Sequence, residues 1–166
     1  MYCQYLIISQ SLTNGSYNIN IKERRATIWT PSSAVTTVTT VAKVGKAIAA
    51  LLSLSHDQIQ GYLNRCVYIS SFRLSQLDIL RSVQLATQTQ TSDWEVAYED
   101  VGNAVQDGQD IASHGSVDGL IKVIYAMQFL PEAGGDYEAE HGTANEELEL
   151  EREDLNDITR LAVASV

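Results

Sequence analysis

The sequence holds only two prolines, two phenylalanines, two tryptophans, two cysteines and three histidines in 166 residues. With ten glycines and 45% apolar residues as well, few prolines argue against a disordered chain and for one domain of ordinary size with a buried core. No apolar run approaches the roughly 18–20 residues that a membrane helix needs, so no membrane span is expected. Cys3 and Cys66 show neither metal-ligand spacing nor a disulfide framework. Cys66 sits in an apolar, strand-like run and is expected to be a plain buried thiol, which fits a reducing, cytoplasmic setting. The opening "MYCQYLIISQSL" lacks a basic n-region and a small-residue cleavage site, so it is not expected to be a signal peptide.

Positive charge is scarce too. The formal net charge is −10. From Glu132 onward there are 11 acidic residues against Arg152 and Arg160, while residues 1–131 are near neutral. No basic stripe is present and the acidic end repels polyanions, so nucleic-acid binding is not expected.

What is present is a change of period along the chain. "SYNINI" and "RRATIWT" alternate as short strands around a polar "KERR" turn, and "VTTVTT" suits a strand or an extended link. From Thr40, a fair N-cap, Val41, Val44, Ile48, Leu51 and Leu52 form one helical stripe expected to face the core. Gly45 within it suggests a close packing approach. Ser55 caps a short helical turn. "CVYIS" predicts a covered strand, and "SFRLSQLDILRSVQLATQT" an amphipathic helix through Leu74, Leu77, Leu80, Val83 and Thr87. "DWEVAYED" alternates as a further strand. Helices follow over roughly 99–113 and 116–130. The second has Val117, Leu120, Ile124 and Met127 on one side, Ser116 as cap and Pro131 as stop. A terminal helix places Leu155, Ile158 and Leu161/Ala162 inward. The expected fold is α/β: a few short strands with about four longer helices, residues 1–15 weakly ordered and residues 16–166 one domain. Two or three short strands make a poor sheet, and an apolar strand wants covered neighbours, so a homodimer is expected.

The order "VAKVGKAIAALLS", "NRCVYISSFRLSQLDIL", "WEVAYED", "GGDYEAEHGTANEELEL" resembles the C-terminal half of fungal NmrA-like / isoflavone-reductase-like proteins, which are atypical short-chain dehydrogenases. The resemblance spans roughly residues 12–160. It implies a smaller, substrate-closing half whose partner, a Rossmann half with a Gly-rich phosphate loop, precedes it. Neither G-x-x-G-x-x-G nor G-x-G-x-x-G occurs here, and Gly134-Gly135 follows a helix and precedes acids. The resemblance therefore carries over the fold of the substrate half and not its redox chemistry. No cofactor is expected, and NADP enters only if another chain supplies a Rossmann half. Among functions, the sequence favours a truncated NmrA-like binder of a small, fairly apolar molecule in fungal secondary metabolism. A small isomerase or cyclase, or a reductase missing its other half, are the alternatives.

The candidate site follows from position. Ser70, Phe72 and Arg73 trail the predicted strand, where the mouth of an open α/β sheet binds ligands, and Arg73 suits an anionic or carbonyl group. Tyr125, Phe129 and Tyr137 are candidates to line an apolar pocket, with Tyr125 and Phe129, at helical spacing, either pocket lining or core. His141 lies among Glu138, Glu140 and Tyr137, and a carboxylate neighbour raises an imidazole's pKa. His141, Tyr137 and Asp136 are the candidate acid–base residues. His56 and His114 fall in turn-like settings, expected to be exposed. No histidine pair has metal-ligand spacing with a carboxylate, so no metal is expected. Residues 136–146 are expected to run as a loop along the cleft, with a solvated, mobile stretch over 136–150 as the opposing possibility.

Overall fold

A computed structural model describes residues 8–165 of the chain. Cys3 and the first seven residues of the segment expected to be weakly ordered lie outside that range. Of the remainder, Ile8–Thr13 form a short helix (α1) that packs on the last helix of the chain, with Leu12 fully buried. The architecture is mixed α/β, with two small sheets.

β1 (Ile19–Asn20) and β2 (Arg25–Thr30) form a hairpin, pairing Ile19 with Ala26 and Asn20 with Arg25. The intervening turn is closed by the Asn20 side chain, whose Oδ1 accepts the Glu23 N–H at 3.0 Å. β2 then runs parallel to β5 (Glu95–Asp100) over six residues, giving the order β1-β2-β5. A separate antiparallel pair joins β3 (Val35–Val38) to β4 (Phe72–Ser75). The expected strand at "CVYIS" is absent: residues 66–70 are irregular, and the strand begins at Phe72, inside the stretch expected to open a helix. The apolar run alone does not fix where pairing starts. Here β3 offers its edge to residues 72–75, and Ser75 then starts the helix. Cys66 is exposed rather than buried: it stands at the outer end of a run that is half-buried over 67–69 and buried at Ser70.

α2 (Val41–Ser53) starts at Thr40, whose hydroxyl accepts the Lys43 N–H. α3 (His56–Gln60) begins with a Ser55/Gln58 capping box, and α4 (Gln76–Thr87) with a Ser75/Asp78 box. α5 (Val101–Ser113) is capped by Asp100. α6 (Val117–Met127) lies where the period placed it, but Ser116 makes no side-chain cap bond. α5 and α6 pack closely because neither Gly108 nor Gly119 has a side chain: a Cβ on Gly119 would stand 2.4 Å from the Ala112 nitrogen. α7 (Tyr137–His141) and α8 (Leu155–Val163) complete the chain, α8 packing on α4 and α1.

The main core joins Tyr17, Ile28, Trp29, Ile79, Val83, Trp94, Ala104 and Phe129. Two helix faces depart from expectation. In α2 the buried residues are Lys43 and Ala47, while Val41, Ile48 and Leu52 are 57%, 53% and 77% exposed. Gly45 has nothing within 4 Å of its would-be Cβ, so it permits no close approach. In α6 the stripe of Val117, Leu120, Ile124 and Met127 is exposed as well. α8 buries Thr159 and Ala162, with Leu155 and Ile158 half-buried and Leu161 exposed. No helix among the described residues is long and apolar enough to cross a membrane.

Candidate functional site

The acidic end is folded. After Pro131 the chain makes one 3-10 turn and reverses at Gly134, whose φ of 70° suits glycine. Gly135 is buried, and its carbonyl accepts the Thr37 N–H at 2.9 Å and the Thr36 hydroxyl at 3.2 Å. Residues 134–153 then cross β3 and the irregular run ahead of β4. Ala144 N–H donates to the Tyr68 carbonyl at 2.8 Å. Asn145 grips Ser70 twice: its Oδ1 accepts the Ser70 N–H at 3.2 Å and its Nδ2 donates to the Ser70 carbonyl at 2.8 Å. The Asn145 amide thus satisfies both backbone groups of Ser70, as a neighbouring strand would.

Side chains fasten the same crossing. Arg73 makes a two-pronged ion pair with Asp136, both contacts 2.6 Å. The Ser70 hydroxyl donates to Glu138 at 2.6 Å, and the Tyr137 hydroxyl donates to the Ile69 carbonyl at 2.8 Å. Farther along, Glu153 accepts from the Thr40 hydroxyl at 2.8 Å and from Ser71. Lys43, almost fully buried, donates to the Glu151 carbonyl at 2.9 Å. Burial holds the Lys43 ammonium below the ordinary lysine range, against the opposing pull of Glu153.

These contacts bring Ser70, Arg73, Asp136 and Tyr137 together, with Arg73 and Asp136 engaged by each other. His141 lies at the end of α7, where its ring stacks on Tyr68 at 4.7 Å and 18°. Tyr68 also meets Tyr137 at 5.7 Å. Tyr125 and Phe129 stand elsewhere. Tyr125 packs edge-on to Tyr17 at 5.1 Å, and Phe129 meets Trp29 at 5.6 Å, so both are core rings. Phe72 is half-buried against the same core. His56 and His114 are exposed.

His141 and Tyr68 form one wall of an open cleft of about 480 Å³. Tyr62, Arg65, Cys66, Val67, Thr143 and Glu147 are among its other lining residues. The Tyr62 hydroxyl donates to Glu147 at 3.0 Å. Partial burial pushes the Tyr68 phenol above its ordinary value, and the neighbouring Cys66 and Glu140 add to the rise. Sequence reasoning missed Tyr68, Asn145 and this position of Cys66. The one available signal was Asn145 itself, an amide within an acidic run. Among the described residues, no group of three His, Cys, Asp or Glu is placed to hold a metal ion.

No family model, curated protein or solved structure matches this chain.

Proposed function

We propose that this chain is a small-molecule-binding domain built like the substrate half of NmrA-like / isoflavone-reductase-like proteins, and that it works without nucleotide. Its ligand is flat and fairly apolar and lies in the cleft beside Tyr68 and His141. Its setting is the cytoplasm of a fungus, in secondary metabolism. One observation carries the reading: the acidic segment is folded down so that His141 stacks on Tyr68 and walls a cleft of about 480 Å³. A concave site with aromatic walls and a few polar groups is the usual make-up of a small-molecule pocket. Titration with 2-naphthol, followed by calorimetry, tests it. Saturable binding that weakens in His141→Ala and Tyr137→Ala, with unchanged circular dichroism, is the expected outcome. Heat no greater than dilution would sink it. A parallel titration with NADPH is expected to show no saturation.

Two other readings each have an observation in their favour. The imidazole, phenols and thiol around one cleft are groups able to move protons, which favours non-redox isomerisation or cyclisation. The parallel β2–β5 pair, whose outer edge at β5 is open, and the exposed stripe of α2 favour a reductase whose Rossmann half and NADP site lie on another chain. Adjoining genomic sequence encoding a Gly-rich βαβ unit would support the second of these.

A further inference from the structure

Cys66 is exposed in the wall of the cleft, beside the stacked Tyr68–His141 pair. Arg65 lines the same cleft, and among the described residues no carboxylate lies within ion-pair distance of it. In a chain with 21 acidic residues against 11 basic ones, an unpaired guanidinium in a cleft is a donor left for a ligand oxygen. The wall therefore offers three things together: a flat aromatic face for a flat ring, a cationic donor for a carbonyl oxygen, and a soft nucleophile. Tyr68 lines the same cleft two residues on from Cys66, and its phenol O–H is a donor for a developing thiolate. His141, on the same wall, is a base for the thiol proton.

We infer that this cleft captures a planar conjugated electrophile of the quinone class through covalent addition of Cys66. The inference rests on the proposed binding role of the same cleft. In the step, the Cys66 sulfur forms a bond to an unsubstituted ring carbon of the quinone. The carbon–carbon π pair moves onto the carbonyl oxygen, which takes a proton. Loss of the proton from the sulfur-bearing ring carbon restores aromaticity, and an equivalent proton is taken up by the second carbonyl oxygen. The product is a sulfur-substituted hydroquinone. The elements of the thiol S–H are added across the quinone, and no outside oxidant or reductant enters.

The test uses full-length protein with Cys3→Ser, so that Cys66 is the only thiol. Adduct formation with 1,4-naphthoquinone under nitrogen is followed by intact mass and compared with acrylamide, a small electrophile with no ring to stack. The ratio of the two rates is expected to exceed that of free glutathione by at least about tenfold, as one good stacking contact allows. Tyr68→Leu and, separately, His141→Ala should return the ratio to the glutathione value while acrylamide labelling continues, and Cys66→Ser should abolish both adducts. A wild-type ratio equal to that of glutathione overturns the inference, since Cys66 is then only an exposed thiol. Calorimetric titration of Cys66→Ser with 2,3-dimethyl-1,4-naphthoquinone, whose reactive ring positions are blocked, separates the two claims. Binding there without selective capture in the first experiment overturns the covalent step and leaves the binding role standing. Absence of both overturns the two together.

Discussion

Gln76 is a single side chain that completes three backbone hydrogen bonds. Its Oε1 accepts the Trp29 N–H at 2.7 Å, and its Nε2 donates to the carbonyls of Tyr17 at 2.7 Å and Thr27 at 2.9 Å. β1 is only two residues long, so this amide takes the place of the strand that would otherwise pair with the far end of β2. Gln76→Leu keeps the volume and strands these buried groups. It is expected to cost about 3 kcal/mol, read from urea unfolding, since each orphaned polar group costs about 1–3 kcal/mol. An unchanged midpoint would show that water replaces the amide. Two glycines should respond in opposite directions. Gly45 is exposed in mid-helix with open space around it, so Gly45→Ala is expected to stabilise by about 1 kcal/mol. A Cβ on Gly135 would lie 1.9 Å from the Gln128 carbonyl oxygen, a main-chain atom that cannot swing aside. Gly135→Ala is therefore expected to destabilise by about 3 kcal/mol, in the range of overpacked cores. Equal thermal midpoints for the two variants would contradict the local packing described.

At the scale of elements, the cap of α4 links helix geometry to pH. The Asp78 carboxylate accepts the Ser75 N–H at 2.9 Å and the Ser75 hydroxyl at 2.6 Å. The Ser75 hydroxyl bond holds it below its ordinary 3.8, against partial burial, with the Ser75 N–H and Arg81 also lowering it. A carboxyl lowered in the folded state stabilises above its unfolded value, and that stability is lost as pH falls through the folded value. The difference in urea stability between wild type and Asp78→Asn should therefore be constant above about pH 5 and shrink only below about pH 4. A difference independent of pH would remove the charge from the account. Caps of this kind also explain what the sequence disclosed. Thr40, Ser55 and the 3.6-residue period of α5 and α6 are local signals, and those helices fall where they point. Strand pairing is not local. "CVYIS" has the right residues for a strand, but β3 pairs with Phe72–Ser75, and the Asn145 amide satisfies Ser70 instead. The candidate site divides in the same way. Ser70, Arg73, Asp136 and Tyr137 were legible from their place after an apolar run and a double glycine. Tyr68 was not, since its partner His141 is 73 residues away and reaches it only when the acidic segment folds down.

For the whole molecule, the exposed apolar stripes are the feature that demands covering. The period of α6 pointed Val117, Leu120, Ile124 and Met127 toward a core, and the structure turns them outward. Its opposite side is committed to α5, where Gly108 and Gly119 bring the two backbones together, so the helix cannot roll to bury the stripe without breaking that contact. The stripe recurs at i, i+3, i+7 and i+10, the spacing that lets one helix pack against a like helix at a shallow angle. It carries no charge of its own, and the neighbouring Lys122 is neutralised by Glu99 at 2.9 Å and Asp107 at 2.7 Å. Most of the net charge lies in the segment from Glu132 onward, folded across β3 and the run before β4. A second copy is the occupant that suits such a surface: two-fold pairing is the commonest closed assembly, and it sets apolar stripe against apolar stripe. Light scattering after gel filtration is expected to give twice the 18.2 kDa chain mass. Leu120→Glu with Ile124→Glu, both on the exposed side, should return the mass to that of one chain and leave the helical circular dichroism unchanged. A wild-type protein that elutes as a single chain would mean that this stripe is not a contact between copies. A double variant that remains a dimer would place the contact on another face, with α2 and its exposed Ile48 and Leu52 the next surface to mutate.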